Sequence, residues 1–366
     1  MRLGIVGGGQ LGLMLAESAH GLGIACTLLD PAPDAPARRA GHLLVGDYDD
    51  PVLLDMLADV CDVCTYEFEN VPVQSARRLA RQVPTYPPPP ALEVAQDRLA
   101  EKTMFTDLGI DTARYRTVDS EEDLSDAAAD LGYPLVLKTR RGGYDGKGQE
   151  SIRDAAGLPA AWEALGAHPL LAEEHVAFDR ELSILAVRGV DDSAFYPLVE
   201  NTHADGILRL SVAPAPDATL GLTTTAIDAA TRILDELGYR GVLAVELFQI
   251  GDRLLANEMA PRVHNSGHWT IEGAATSQFE NHVRAVVGLE LGPTDVPGAA
   301  AMVNCLGAVP EADVVATVPG ARLHDYGKAP RPLRKVGHVT VTAPDAARLE
   351  PLVRRLCGAA PTPRDA

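Results

Sequence analysis

The chain has 366 residues, and at roughly 150 residues per domain that length predicts two or three domains. Its 32 basic and 51 acidic residues leave a formal net charge of −19, which argues against a nucleic-acid partner, because such binding draws on Lys and Arg neutralising phosphates. An apolar fraction of 46% with 23% charged is ordinary for a globular protein, and no apolar run approaches the roughly 20 residues needed to span a bilayer.

Residues 3–6 read as a short apolar strand, followed by a glycine turn, an amphipathic helix over 11–20 and a second strand over 25–29. A strand over 60–66 and a helix over 73–81 continue the alternation. Alternation of this kind implies parallel strands with helical crossovers, a Rossmann-like domain over 1–92. Pro87 to Pro90 can continue neither a helix nor a central strand and mark a stiff boundary linker.

From 93 to 288 the pattern changes to α+β, with a helix over 92–108 and strands over 135–139, 170–174, 181–187, 242–250 and 253–258. Gly251-Asp252 between the last two strands is a hairpin signal. The remainder, 289–366, is a small β-rich domain with a clear strand over 336–341, and the tail from Pro361 reads as disordered. The fold class is therefore α/β together with α+β, without internal repeats.

Cysteine is scarce and scattered: Cys26, Cys61, Cys64, Cys305 and Cys357. That set points to a reducing cytosol rather than a disulfide framework, and so to a cytoplasmic protein. Cys61 and Cys64 have the spacing of a redox or zinc pair. On a strand, however, residues three apart face opposite ways, and no second Cys or His pair lies nearby to complete tetrahedral zinc. Both read as buried cysteines. Gly7-Gly8-Gly9-Gln10 interrupts the apolar start, so a secretion signal is not expected.

The basic residues are unusual in kind, with 27 arginines against five lysines, Lys102, Lys138, Lys147, Lys328 and Lys335. Ammonium and guanidinium groups are not interchangeable at a phosphate or a reacting group, which singles these five out. Residues 322–366 carry nine basic and four acidic residues, a basic end on an acidic body that suits a small anionic ligand.

Gly7-Gly8-Gly9-Gln10-Leu11-Gly12 fits G-x-G-x-x-G between strand and helix, and Asp30 closes the next strand. This is the dinucleotide fingerprint of a dehydrogenase, although a tight turn or a site for another phosphate fits the same residues. Farther on, Lys138 sits on the apolar strand Leu135-Val136-Leu137, where a lysine needs an anionic partner. The loop Gly142-Gly143-Tyr144-Asp145-Gly146-Lys147-Gly148 can cover phosphates with its backbone, but it is not a Walker A loop because Gly148 follows the lysine. Glu173-Glu174-His175-Val176 ends a strand, with Glu181 after it. Glu246 lies in the apolar strand Val245-Glu246-Leu247, and a hairpin centred on Asp252 sets it opposite Glu258. A two-residue loop would misalign the pair by one. Facing carboxylates repel unless protonated or bridged by a cation, and oxygen ligands beside a phosphate loop suit Mg2+.

Lys138, the 142–149 loop, Glu173 to Val176, Glu246 and Asn257-Glu258 resemble an ATP-grasp ligase in order and spacing. More closely, Glu67-Phe68-Glu69-Asn70-Val71-Pro72, Gln96-Asp97-Arg98, the 143–149 loop, Asn257 to His268, Tyr326-Gly327-Lys328 and Arg334-Lys335 resemble the N5-carboxyaminoimidazole ribonucleotide synthetases across nearly the whole chain. The resemblance implies an ATP-grasp fold: a Rossmann-like N-terminal domain, a central ATP-grasp domain and a small C-terminal domain. It also implies carboxylation of aminoimidazole ribonucleotide by ATP and bicarbonate through carboxyphosphate, in purine biosynthesis, by a homodimer.

Residue by residue, Arg98, Lys138, Gly143, Tyr144, Asp145, Gly146, Lys147, Gly148, Gln149, Glu173, Glu174, His175, Val176, Glu181, His203, Asn257 and Glu258 would hold ATP. Glu246 and Glu258 would hold Mg2+, as one ion or two. Arg262, His264 and Asn265 would surround bicarbonate and carboxyphosphate, and with Asp145 make up the catalytic set. Gly9, Gln10, Glu67, Tyr144, Asp145, Lys328, Arg331, Arg334 and Lys335 would bind the ribonucleotide.

Competing expectations differ in what they leave idle. A dehydrogenase built on Gly7 to Gly12 gives Glu246, Glu258 and the second glycine loop no task. A nucleotide sensor makes Arg262, His264 and Asn265 superfluous. A formate-using or biotin-carboxylating ATP-grasp relative is separated by the Glu67 to Pro72 segment with Tyr144-Asp145.

Overall fold

The computed structural model describes residues 1–143 and 147–357, so Tyr144, Asp145, Gly146 and the tail expected to be disordered lie outside the described residues. The chain begins β1 (Arg2–Val6), α1 (Gln10–Gly21), β2 (Ala25–Asp30), β3 (His42–Val45), α2 (Pro51–Val60), β4 (Val63–Tyr66), α3 (Val73–Ala80) and α4 (Pro89–Ala95). These strands pair in parallel in the order β3-β2-β1-β4, the arrangement that helical crossovers produce.

The strand expected over 60–66 starts later. Val60 closes α2, whose buried residues Leu54, Leu57 and Ala58 have helical spacing. Cys61 lies in the turn that follows rather than on β4, so it does not face away from Cys64. A Cβ at Gly4 would lie 2.5 Å from Cys64 Sγ and 3.2 Å from Cys61 Sγ, which puts both buried thiols on the same small space.

Two further expectations change at the domain boundary. Pro89 is no linker: it opens α4 in the first turn, where a missing N–H costs nothing. The single helix expected over 92–108 is two, α4 and α5 (Arg98–Asp107), broken at Gln96-Asp97. Gln96 Nε2 donates to the carbonyls of Glu69 and Val71, each at 2.7 Å. Asp97 becomes the N-cap of α5, accepting the Leu99 N–H at 3.1 Å while pairing with Arg140 at 2.6 Å. The break starts a new helix at Arg98.

Next come β5 (Tyr115–Val118), α6 (Glu121–Leu131), β6 (Leu135–Thr139), β7 (Gln149–Ile152), α7 (Leu158–Leu165) and β8 (Leu170–Glu174). They form an antiparallel sheet in the order β5-β8-β6-β7. Alternation along β6 turns Leu135 and Leu137 into a cluster with Val118, Leu124 and Ala128, and leaves Val136 and Lys138 on the other face.

The rest comprises β9 (Arg180–Arg188), β10 (Ser193–Phe195), β11 (Val199–Ala204), β12 (Ile207–Ala213), α8 (Leu220–Glu236), β13 (Gly241–Ile250), β14 (Arg253–Ala260), α9 (Thr270–Gly273), α10 (Gln278–Val287), β15 (Ala299–Leu306), α11 (Ala312–Ala316), β16 (Ala321–Asp325), β17 (Lys335–Ala343) and α12 (Ala346–Cys357). One sheet takes the order β14-β13-β9-β11-β12-β15-β17-β16, with β10 on β9. The strands after residue 289 thus extend the central sheet, since β15 pairs with β12. On α10, the buried His282 ring bonds Thr65 Oγ1 of β4 at 2.8 Å and accepts the Val242 N–H at 3.1 Å, tying the first sheet to the large one.

Candidate active site

A cavity of about 650 Å³ opens between the small sheet and the large sheet and runs to the C-terminal ends of the first sheet's strands. One wall carries Val136, Lys138, Gln149 and Glu173; the other carries Glu181, His203, Glu246, Phe248, Asn257 and Glu258. Gln10, Glu67 and Glu69 line the N-terminal end, near Arg262, His264, Asn265 and Lys335.

The hairpin β13–β14 places the carboxylates. Its loop has two residues, since Ile250 pairs with Arg253, and simple counting would oppose Glu246 to Asn257. A register shift after Glu246 restores Glu246 opposite Glu258, with Asn257 as the extra residue. Burial shows the same shift: Leu254 and Ala256 lie in the core, then Met259, so Asn257 and Glu258 both reach the cavity. The expected pairing holds, by a different route. Asn257 Oδ1 is buried without a hydrogen-bond partner, a polar atom left for a ligand.

Cations in the cleft are held by carboxylates. Arg98 lies 2.9 Å from Glu258 and Lys138 lies 2.9 Å from Glu173, the anionic partner its strand position demands. Lys102, on α5, approaches the same Glu173 oxygen at 3.5 Å. Burial pushes the Glu173 carboxyl up, but Lys138 and Lys102 outweigh it and hold it at about 2. Desolvation, aided by Glu258, raises Glu246 to about 7, whereas at Glu258 the Arg98 charge outweighs desolvation and holds the carboxyl down. The two carboxylates have unlike environments.

At the inner end, Arg262 pairs with Glu69, whose carbonyl Gln96 fixes. Burial and the neighbouring Arg262 charge hold His264 well below the usual imidazole range, so its ring is neutral; its Nε2 lies 3.5 Å from Glu246 and its Nδ1 lies 2.9 Å from Ser266 Oγ. Ser266 continues into the buried chain Ser183, Asn201 and Ser211 at 2.9, 2.9 and 2.7 Å. Asn265 and Asn304 exchange amide hydrogen bonds at 3.1 and 2.6 Å.

The glycine fingerprint is occupied by the protein itself. Glu67 Oε2 accepts the Gly12 N–H at 2.6 Å at the start of α1, and a Cβ at Gly9 or Gly12 would collide with that carboxylate. Asp30, 7% exposed, accepts from Gly8 N–H at 2.7 Å, Ala32 N–H at 2.8 Å and Tyr48 Oη at 2.8 Å, which spends the group a dinucleotide ribose would need. The dehydrogenase reading is therefore unsupported. Burial raises Glu67 to about 7 against the pull of the Gly12 N–H.

Other expected residues fall in and around this cleft. Gly143, Lys147, Glu174, His175 and Val176 line it, with Glu174 also 2.8 Å from Arg114. His203 pairs with Glu181, and Lys328 with Gln10. Gly9, Gly148, Lys328, Arg331 and Arg334 are not in the lining; Arg331 is exposed and Arg334 donates to the Ala329 carbonyl at 3.1 Å. Tyr144, Asp145 and Gly146 lie outside the described residues. Four residues of the cleft region have no role in the sequence-based expectations: Glu69, Lys102, and Phe178 with Phe248, whose rings stack at 4.6 Å in the cleft lining. Glu69 stands inside a motif of the family resemblance and Lys102 is one of the five scarce lysines, whereas Phe178 and Phe248 carry no local signal.

Among the described residues no cluster of three or more His, Cys, Asp or Glu side chains is arranged to hold a metal alone. Two facing carboxylates and the unpartnered Asn257 oxygen fit a hard cation that completes its shell with phosphate oxygens and water, the habit of Mg2+.

Known families match this chain in three segments: a ribonucleotide synthetase preATP-grasp domain over 1–96, an ATP-grasp domain over 103–279, and a phosphoribosylaminoimidazole carboxylase C-terminal domain over 300–351. The N5-carboxyaminoimidazole ribonucleotide synthase of Pseudomonas aeruginosa is 50% identical over 351 residues, covering 96% of this chain and 97% of that protein. The crystal structure of the Thermus thermophilus synthetase superposes with a TM-score of 0.93 at 53% identity, covering 97% of each chain. The Aspergillus clavatus enzyme, solved with ADP and 5-aminoimidazole ribonucleotide, superposes with a TM-score of 0.90 at 33% identity, covering 97% of this chain and 98% of that one. With its ATP-grasp domain between those two flanking domains, the chain belongs to the N5-carboxyaminoimidazole ribonucleotide synthase family.

Proposed function

We propose that the protein uses ATP to join bicarbonate to the exocyclic amine of 5-aminoimidazole ribonucleotide, giving N5-carboxyaminoimidazole ribonucleotide, ADP and phosphate, as a step of purine biosynthesis. The observation that carries this reading is one continuous cleft. It sets Lys138, Arg98 and the Glu246–Glu258 pair at one end, Glu67 and Gln10 at the other, and Arg262 with neutral His264 between them. A dehydrogenase built on Gly7 to Gly12 would leave Lys138, Glu246, Glu258 and Arg262 idle.

Lys138 and Arg98 would meet the nucleotide phosphates, with Asn257 and Glu173 to Val176 around the ribose and base beside Phe248. Glu246 and Glu258 would hold Mg2+, which supplies charge neutralisation at the phosphates. A bicarbonate oxygen attacks the terminal phosphorus, the bond to ADP breaks, and carboxyphosphate forms. Arg262 neutralises the charge gathering on the transferred group, and Asn265 and neutral His264 orient the bicarbonate. The amine nitrogen then bonds to the carboxyl carbon and phosphate leaves; the amine proton passes to a carboxylate, for which we propose Asp145 or Glu67. Lys335, Lys328 and Gln10 face the ribonucleotide phosphate in this reading, and carboxyphosphate has to be kept from water until the amine attacks.

With this reading come, as proposals, one or two Mg2+ ions, a homodimer and a cytoplasmic location. Among the described residues no helix is long and apolar enough to cross a membrane.

Three outcomes check it. ADP release should require bicarbonate and aminoimidazole ribonucleotide together; release at full rate with either omitted would end the assignment. Glu246→Gln should lower kcat by roughly 100-fold or more and raise the Mg2+ concentration giving half-maximal rate, and wild-type Mg2+ dependence would remove the metal role. Glu67 is the third case. Its carboxyl is raised to about 7, so it is ionised above that pH and protonated below. If the ionised form receives the amine, kcat/KM for the ribonucleotide should climb about tenfold per pH unit up to about 7 and then level, and Glu67→Gln should lose that limb. The same slope in the variant would assign the titration elsewhere.

A further inference from the structure

Lys102 is one of the five lysines, and the mechanism above has no use for it. It is fully buried, at 0% exposure, on α5. Its Nζ lies 2.9 Å from Thr112 Oγ1, 3.4 Å from the Ala256 carbonyl and 3.5 Å from Glu173 Oε2. A lysine this deep in a protein is exceptional unless paired. Arg98, Glu101 and Lys102 have the spacing that puts them on one helix face. That face touches both walls of the cleft: Arg98 reaches Glu258 on β14, Glu101 accepts the Met259 N–H at 2.7 Å, and Lys102 reaches Glu173 on β8.

Glu173 thus has two ammonium groups at one oxygen, Lys138 at 2.9 Å and Lys102 at 3.5 Å. Lys138 also stands where nucleotide phosphates must lie, and its ammonium cannot point fully at both. If Lys138 turned to a phosphate with no second cation present, Glu173, 3% exposed, would become an uncompensated buried charge. That cost would be subtracted from the affinity for the nucleotide. Lys102 is the cation already in place to prevent it, and Thr112 and the Ala256 carbonyl hold it there whether or not Lys138 moves.

We propose that Lys102 is a positioning residue for nucleotide binding: it is the standing counter-ion of Glu173 that lets Lys138 release this carboxylate and turn to the phosphates of ATP. The proposal rests on the nucleotide reading of the cleft. It separates Lys102 from the phosphate-binding cations, since Lys102 never meets the ligand.

The test is binding of a non-hydrolysable ATP analogue with Mg2+, alongside steady-state kinetics, in wild type, Lys102→Met, Lys102→Gln, Lys102→Arg, Glu173→Gln and the double variant Lys102→Met/Glu173→Gln. The two neutral variants should weaken the analogue and raise KM for ATP by roughly tenfold or more. Their kcat and their KM for aminoimidazole ribonucleotide should stay within about twofold, and Lys102→Arg should recover most of the affinity. Glu173→Gln alone is the reference for the double variant: adding Lys102→Met to it should cost no further nucleotide affinity, because no charge is then stranded. Wild-type nucleotide affinity in Lys102→Met or Lys102→Gln overturns the proposal. So does a loss spread equally over both substrates, or a Lys102→Met change that weakens binding as much in the Glu173→Gln background as in wild type. A wild-type protein that does not bind the analogue would instead sink the nucleotide reading itself.

Discussion

A cleft that receives a polyphosphate must hold its cations before the ligand arrives, and a largely buried cation needs a carboxylate to stay charged. Three such pairs set the geometry here: Arg98 on Glu258, Lys138 on Glu173 and Arg262 on Glu69. Each pair joins different parts of the fold. The first ties α5 to the large sheet, the second crosses the small sheet from β6 to β8, and the third ties the N-terminal domain to the end of the β14 hairpin. If these cations meet the ligand as proposed, binding in this cleft is an exchange of partners rather than the filling of an empty charged pocket. The cations are aimed in advance, and their resting partners keep them from being stranded.

The same constraint explains the first domain. Its glycine turn and helix start are built as an anion site, but the anion is the Glu67 carboxylate held by the Gly12 N–H. The glycines serve the approach of that side chain, and Asp30 is spent on Gly8 and Tyr48. A turn suited to a phosphate is instead a mount for a carboxylate with a raised pKa that lines the cleft. Continuity of the large sheet through β12 and β15 brings Lys335 and Lys328 to the same end.

Much of this was legible in the sequence wherever one residue broke a local pattern. Lys138 and Glu246 are charges on apolar strands, and each proves to sit on the cleft face with a definite partner. The basic C-terminal segment reaches the cleft through Lys335, while Arg331 and Arg334 do not line it. Other features were illegible because they depend on contacts distant in sequence. The helix break at Gln96-Asp97 is fixed by the carbonyls of Glu69 and Val71 and by Arg140. The β14 bulge cannot be read from hydropathy, since Asn257 and Glu258 are both polar and give no sign of which is the extra residue. The Cys61 and Cys64 thiols meet because α2 runs to Val60 and β4 starts only at Val63, three residues later than the apolar run suggests.

The central claim is that this one cleft passes the terminal phosphoryl group of ATP to bicarbonate beside Arg262 before the ribonucleotide amine is carboxylated. Turnover with bicarbonate labelled with heavy oxygen tests it most directly, by mass analysis of the inorganic phosphate released. The account predicts one labelled oxygen in each phosphate formed with product, carried over from bicarbonate when carboxyphosphate breaks down. Unlabelled phosphate accompanying full product formation would contradict it, because the phosphoryl group would then never have been bonded to bicarbonate.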